Sequence, residues 1–436
     1  MSNDTGPVTC DECGCTSEWR AAFTRKLCPA CAVRKATHQE RWILFGIVGG
    51  ALVCGFAIAR GATSAAFLLA FSWVVFVASQ PLLVVLHELG HAIAAWLVKV
   101  RVYAIVIGRE RWWFDRDIAG VRVRIGGLMM GGAVCHEPSE GPHSRLRSIL
   151  ITAGGPLMNL LVAGIAFAWA AALPASLEQS LARFALLMVG VASVAQGIAN
   201  LWPRPVEVMG RQTSNDGARI VALLSGHADD ADKLRGGGHY LRAQFAFFDR
   251  RLDDARREVT RALDLLVDTM PRDACTVLWA AIACEIGDAR GAVAALRPLH
   301  GDAAKDPVVR VDIANNLAWG LFLLDEPDGF EEGLAAIADA RRIAPWERAC
   351  LSTQACLMAA SATTGNGRAT DALQLIDPFR SPPRNASEAA ALCVARGLVT
   401  AFQGDVSAAR AEYERARALV VDSPILRLLE RRLASH

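Results

Sequence analysis

Up to residue 203 the chain alternates long apolar runs with short basic connections; beyond residue 226 it breaks into shorter, alanine-rich amphipathic stretches. Four apolar runs stand out, at 42–59, 65–98, 149–173 and 181–202. A membrane-crossing helix needs about 20 such residues, which the first, third and fourth runs supply. The second has 34 residues. As straight helix it would extend roughly 51 Å, against a hydrocarbon core of ~30 Å. Pro81 is expected to kink it, or its last turns to leave the lipid. Between the second and third runs, 101–107 and 121–125 alternate like strands.

In the last third, helix-pair patterns recur about every 35–40 residues, near the ~34 of tetratricopeptide repeats. Gly397, Gly404-Asp405, Ala409, Tyr413 and Ala416 mark the clearest unit. Gly287-Asp288 with Ala292, and Ala318-Trp319-Gly320 with Ala340 and Pro345, echo it, and Ala255 and Ala262 mark the earliest pair. Small residues at these positions let helices pack closely. The expected fold is mainly α: a polytopic membrane core with a small β-hairpin, an N-terminal zinc ribbon and a C-terminal α-solenoid of tetratricopeptide-like repeats. The expected domains are 1–38, 40–225 and 226–436.

Composition agrees with membrane spans. Apolar residues make up 53% of the chain, above the usual soluble level of about 45–50%. The net charge of +2 gives no reason to expect a nucleic-acid partner. The first forty residues carry cysteines and charges rather than the apolar stretch of a signal peptide. Residues 1–41 hold six Lys/Arg and residues 99–147 hold nine, whereas 60–64 and 174–180 hold only Arg60. By the positive-inside rule both termini are expected in the cytoplasm, with four spans. The localisation expected is a bacterial inner membrane.

Five of the twelve cysteines fall within the first 31 residues. Cys10-Asp-Glu-Cys13 and Cys28-Pro-Ala-Cys31 form two Cys-x-x-Cys knuckles 14 residues apart. That spacing suits a closed, structural four-thiolate zinc site, and metal would supply the stability so short a segment lacks. Cys15 is a spare thiol that could replace Cys13. Cys275, Cys284, Cys350, Cys356 and Cys393 read as small buried apolar residues.

His87-Glu88-Leu89-Gly90-His91 carries the chemistry. Histidines at i and i+4 share one helix face and can grip one metal ion, with the intervening carboxylate as general base. The flanks are apolar, and ionisable groups at membrane depth are costly enough to imply function. A catalytic zinc wants a third protein ligand and an open position. Asp216, in Asn215-Asp216-Gly217 just past the fourth run, is the best placed candidate. Asp115, Asp117, His136, Glu137 and His143 compete on residue type, and Asp216 also fits as the cap of a helix starting at 218.

Segment 74–217 resembles the site-2 protease family of intramembrane zinc metalloproteases. The residues that carry the resemblance come in order: the His87–His91 motif; the strand-like pair followed by Gly126-Gly127 and Gly131-Gly132; Ala153-Gly154-Gly155-Pro156-Leu-Met-Asn159; and Asn200-Leu-Trp-Pro203 before Asp216-Gly217. The chain departs from the pattern in an extra glycine before Pro156, in Asn215 where leucine is usual, and in the twelve residues between Pro203 and Asp216.

The resemblance implies a catalytic zinc on His87, His91 and Asp216, Glu88 as catalytic base, and Asn159 and Asn200 lining the substrate cleft. With a structural zinc on Cys10, Cys13, Cys28 and Cys31, two zinc ions per chain are expected. The activity implied is cleavage of membrane-embedded or membrane-anchored proteins near the cytoplasmic face. An extended substrate is expected to pair with the strands at 101–107 and 121–125. The lipid bilayer, a membrane-protein substrate and a peptide or protein on the repeats are the expected partners. The alternative is a non-catalytic membrane scaffold that retains the fold.

Overall fold

Helix dominates the computed structural model, which describes residues 7–19, 27–29, 31, 48–52, 54–57, 59–61, 65–108, 113–127, 131–137, 143–173, 177–208, 211–226, 231–266, 270–302, 305–362, 366–376, 386–420 and 422–434. The chain divides into two compact units. One is Arg34–Gly238; the other joins Met1–Val33 to His239–His436.

Among the described residues of the first unit, three helices are long and apolar enough to cross a membrane: α2 (Ala65–Leu97), α3 (Ser144–Ala172) and α4 (Leu177–Leu201). They display large apolar side chains outward, Trp73 at 67% exposure and Trp96 at 75%, which lipid tolerates and water does not. Pro81 and Pro156 both sit inside continuous helices. A shorter apolar helix, α1 (Val48–Ala57), precedes them. Much of the expected first span, including 42–47, lies outside the described residues.

Helices α2 and α3 approach through small residues. A Cβ added at Gly90 would lie 2.6 Å from the Met158 Cβ, and one at Gly154 would lie 2.7 Å from the Ala94 Cβ. Only glycine permits so short an interaxial distance.

Between α2 and α3 lies a four-stranded sheet in the order β4-β5-β3-β6, made of β3 (Val102–Ile107), β4 (Phe114–Ile118), β5 (Val121–Ile125) and β6 (Gly132–His136). The expected strands at 101–107 and 121–125 are β3 and β5, which pair in parallel. Strand β4 joins β5 through Ala119 and Gly120, both at positive φ, the backbone of a type I′ hairpin turn. Strands β4 and β6 are additions to the sequence reading; their alternation is broken by charges or glycine. Their presence corrects the expected substrate site: β3 and β5 each have neighbours on both sides, so the sheet edges are β4 and β6.

In the second unit the helices run as successive packed pairs: α6 (Ala231–Phe248) with α7 (Leu252–Leu265), α8 (Met270–Glu285) with α9 (Ala289–Leu296), α10 (Pro307–Leu324) with α11 (Pro327–Ile343), α12 (Arg348–Ala360) with α13 (Arg368–Ile376), and α14 (Ala386–Phe402) with α15 (Val406–Leu419). Helix α16 (Pro424–Ala434) closes the end. The turn inside each pair contains one left-handed residue: Arg250, Gly287, Asp325, Gly367 or Gly404. Their spacing of about 40 residues is that of a helical repeat. Asp288 and Asp405 cap the second helix of their pairs, accepting from Gly291 and Ala408 N–H groups at 2.9 Å. Ala255, Ala262 and the five repeat cysteines are buried.

The N-terminal thiol module belongs to this same unit. Its strands β1 (Val8–Thr9) and β2 (Thr16–Ser17) pair antiparallel. The module docks on the C-terminal end of α11, whose last carbonyls have no partner within the helix. The Ser17 hydroxyl donates to the Ile343 carbonyl, and the Glu18 N–H donates to the Arg342 carbonyl at 3.1 Å. The ring of Trp19 lies 6.4 Å from that of Trp346, which also packs against the buried thiols.

Candidate metal centres

Three side chains separated in sequence meet at the inner face of α2. His87 and His91, one turn apart, turn their Nε2 atoms toward each other at 3.2 Å. Asp216 Oδ2 lies 3.1 Å from His87 Nε2 and 3.5 Å from His91 Nε2. A tetrahedral zinc with bonds of about 2.0–2.1 Å holds its donor atoms about 3.3 Å apart, so two imidazoles and one carboxylate at these distances fit that ion. Among the described residues no further His, Cys, Asp or Glu joins these three, which would leave such an ion a position for water or substrate. His91 is oriented by the Ile151 carbonyl, 2.8 Å from its Nδ1. The Gly155 N–H reaches the same Nδ1 at 3.3 Å.

Asp216 arrives there because Asn215 is the cap. Asn215 takes extended backbone angles and accepts the Ala218 N–H at 3.0 Å, which starts helix α5 (Asp216–Leu224). The capping role left open for Asp216 thus belongs to its neighbour, and the Asp216 carboxylate is released toward the histidines. Asn215 also donates to the Trp202 and Ala199 carbonyls at 2.7 and 3.3 Å and accepts from Arg204 N–H, which ties α5 to the end of α4. The twelve residues after Pro203 contain a hairpin, β7 (Pro205–Val208) with β8 (Arg211–Ser214), whose register sets Pro205 opposite Ser214. The extra length returns the chain to where it left. Gly217 completes the turn: a Cβ there would fall on the Leu201 carbonyl and 3.1 Å from that of Asn200.

Burial raises the Asp216 carboxyl; hydrogen bonds and charge from His87 and His91 outweigh it and hold the group at about 2. Glu88 is 5% exposed and faces β6. A Cβ added at Gly132 would come 2.6 Å from Glu88 Cγ and 2.8 Å from its Oε1. The extra glycine before Pro156 has a similar explanation, because a Cβ at Gly155 would meet His87 Nε2 at 2.7 Å and press still closer on His91. Asn159 is buried beside His87, its Nδ2 3.2 Å from the His87 Nδ1. Asn200 stands in the last turn of α4.

The competing acids and histidines go elsewhere. Asp115 pairs with Arg122 and, at 3.2 Å, with Arg124. Its carboxyl, raised by burial, is brought below the usual range by those two guanidinium groups. The His136 Nδ1 lies 2.7 Å from the Glu137 carbonyl. Asp117 and Glu137 lie on or beside the sheet, and His143 precedes α3. Glycines 132 and 155, both within the motifs that carry the family resemblance, leave room at the site for Glu88 and for the two histidines.

In the thiol module, ligand atoms of Cys10, Cys13, Cys15 and Cys28 all lie within 4.8 Å of one another. Cys31 is buried in the same small core. Five thiols therefore gather where a closed site needs four, with Cys15 in the tight group where the spacing suggested Cys31. Burial raises the Cys10 thiol, but backbone donors at Cys28, Cys13 and Glu12 outweigh it and lower the group, the direction that favours a metal-binding thiolate.

A model of peptidase family M50 matches residues 75–408 of this chain. No curated protein matches. Among solved structures, the crystal structure of the yeast Tom70 is similar, at 13% identity and a TM-score of 0.28. The match covers 68% of this chain and 61% of that one, so the chain spans about three fifths of that protein's length.

Proposed function

The chain belongs to peptidase family M50, the site-2 protease type of membrane metalloprotease, and from that premise we propose that it cuts membrane-embedded or membrane-anchored proteins near the cytoplasmic face. The observation that carries the reading is the meeting of Asp216 with His87 and His91 across 129 and 125 positions of sequence, beside a buried Glu88, on a helix with a lipid-type surface. A zinc ion held by these three ligands would supply Lewis acidity, lowering the pKa of a water and polarising the scissile carbonyl.

The remaining work belongs to the chain. Glu88, beside the ligands on the same helix, takes a proton from the attacking water and returns it to the leaving amine. A substrate helix must unwind to expose its carbonyl, and an unwound segment needs backbone partners. Strand β6 is an edge strand that passes Glu88 at Gly132, which supports strand addition of the substrate there. Asn200, at the end of α4 next to Gly217, is the proposed polar contact on the other side of the cleft.

The thiol module, with a second, structural zinc, and the helical repeats would form the part that selects a peptide or protein partner. The basic stretches 1–41 and 99–147 support cytoplasmic termini, and the membrane proposed is a bacterial inner membrane. The test uses the full chain in lipid vesicles with a membrane-spanning reporter. Wild type should cut it, while Glu88→Gln should keep its zinc and lose cleavage. Equal cleavage by Glu88→Gln would leave the protease reading without its base.

A further inference from the structure

The Asn159 side chain is fully buried, its Oδ1 has no hydrogen-bond partner among the described residues, and its Nδ2 faces the His87 Nδ1 at 3.2 Å. The His87 Nε2 meanwhile faces His91 and Asp216. A histidine that binds a cation through Nε2 must carry its ring proton on Nδ1. That N–H needs an acceptor, which an amide nitrogen cannot be.

His91 has its acceptor in place, since its Nδ1 faces the Ile151 carbonyl at 2.8 Å, closer than the Gly155 N–H at 3.3 Å. The two ends of an amide are nearly the same shape, so a half turn of the Asn159 amide brings Oδ1 to the His87 Nδ1. The turn also gives the partnerless Oδ1 a donor. Asn159 is held from behind, because its backbone carbonyl accepts the Ser193 hydroxyl of α4 at 2.7 Å. A Cβ added at Gly197 would lie 3.4 Å from its own Cβ.

We propose that Asn159 is a positioning residue for His87. Its Oδ1 accepts the Nδ1 proton, fixing the tautomer and plane of the ring so that Nε2 is bare and aimed at the ion. Ile151 does the same for His91 through a backbone carbonyl. Of the two histidines, therefore, only His87 depends on a side chain for its orientation. This assignment rests on His87, His91 and Asp216 being the zinc ligands, and it gives Asn159 a part distinct from holding the substrate or an oxyanion.

The test is zinc affinity, measured by chelator competition on the full-length protein in detergent, with cleavage read separately. Loss of an outer partner of a metal-bound histidine costs about 10–100-fold in affinity. Asn159→Ala should weaken the membrane-unit zinc by that factor. Asn159→Asp, which can accept but not donate, should stay close to wild type. Wild-type affinity in Asn159→Ala together with lost cleavage would overturn the proposal in favour of an oxyanion donor. Should Asn159→Ala not accumulate as folded protein, Asn159→Asp decides alone: a tenfold or larger loss overturns the acceptor role. If wild type itself binds no zinc in this unit, the ligand assignment fails, and that result is distinct from either outcome.

Discussion

Asn215 donates to the Trp202 carbonyl at 2.7 Å, the shortest of the bonds that tie the helix carrying Asp216 to the end of α4. Asn215 also caps α5 through the Ala218 N–H. Leucine, usual at this place in the family, could do neither. Replacing an N-cap asparagine by alanine costs about 0.5–2 kcal/mol, and here the loss falls on a ligand's position. Asn215→Ala should lower catalytic zinc affinity by about tenfold or more and leave the thiol site filled. Competition with a chelator reads both sites, and equal loss at the two would point to general unfolding.

Gly155 is kept small by the two histidines. Alanine is favoured over glycine in a helix by about 1 kcal/mol, so Gly155→Ala should fold. Its Cβ would nevertheless stand 2.7 Å from the His87 Nε2, where the ion must sit. The expected variant is stably folded, binds zinc only at the thiols and does not cut. Elemental analysis beside a thermal melt checks it, and catalytic zinc retained in full would contradict the steric argument.

Gly132 separates binding from catalysis. Its missing side chain leaves space for Glu88, the nearest group to a Cβ built there. Gly132→Ala should keep both zinc ions and slow cleavage by about 10²–10⁴, the usual worth of a placed general base. Unchanged cleavage at full zinc content would move Glu88 away from the role given to it.

The docking of the thiol module on α11 has a consequence for topology. Residues 1–33 and 239–436 form one unit, which agrees with the proposal that both ends of the chain lie on one side of the membrane. Three described spans would put them on opposite sides. Under that proposal a fourth crossing is expected, and the apolar run at 42–59 is its candidate. Reporters fused to the two termini should report the same compartment. Chelation or Trp19→Ala, which removes the ring facing Trp346, should expose the first 33 residues to added protease. Reporters on opposite faces, or unaltered protease resistance, would count against the docked arrangement.

The apolar runs and the His87–His91 motif were legible because each is local: helix length and a spacing of four residues lie in the sequence itself. The repeats were legible through small residues at fixed spacing, later explained by a left-handed residue in every pair turn. Asp216 was found from a motif, but the reason it reaches the histidines was not visible. That reason depends on a hairpin that folds twelve residues back on themselves and on Asn215 taking the cap. Strands β4 and β6 were missed because Asp115, Arg116 and Asp117 interrupt one and Gly132 opens the other. The choice of substrate edge followed from that miss. Docking of the N-terminal cysteines against Trp346 joins residues more than 300 positions apart, which no local pattern records.

Zinc per chain in the purified full-length protein and in Asp216→Ala tests the account most directly. Two ions are expected in the wild type and one in the variant, the remaining ion held by the N-terminal thiols. Two ions in both proteins would remove Asp216 from the site and contradict the account.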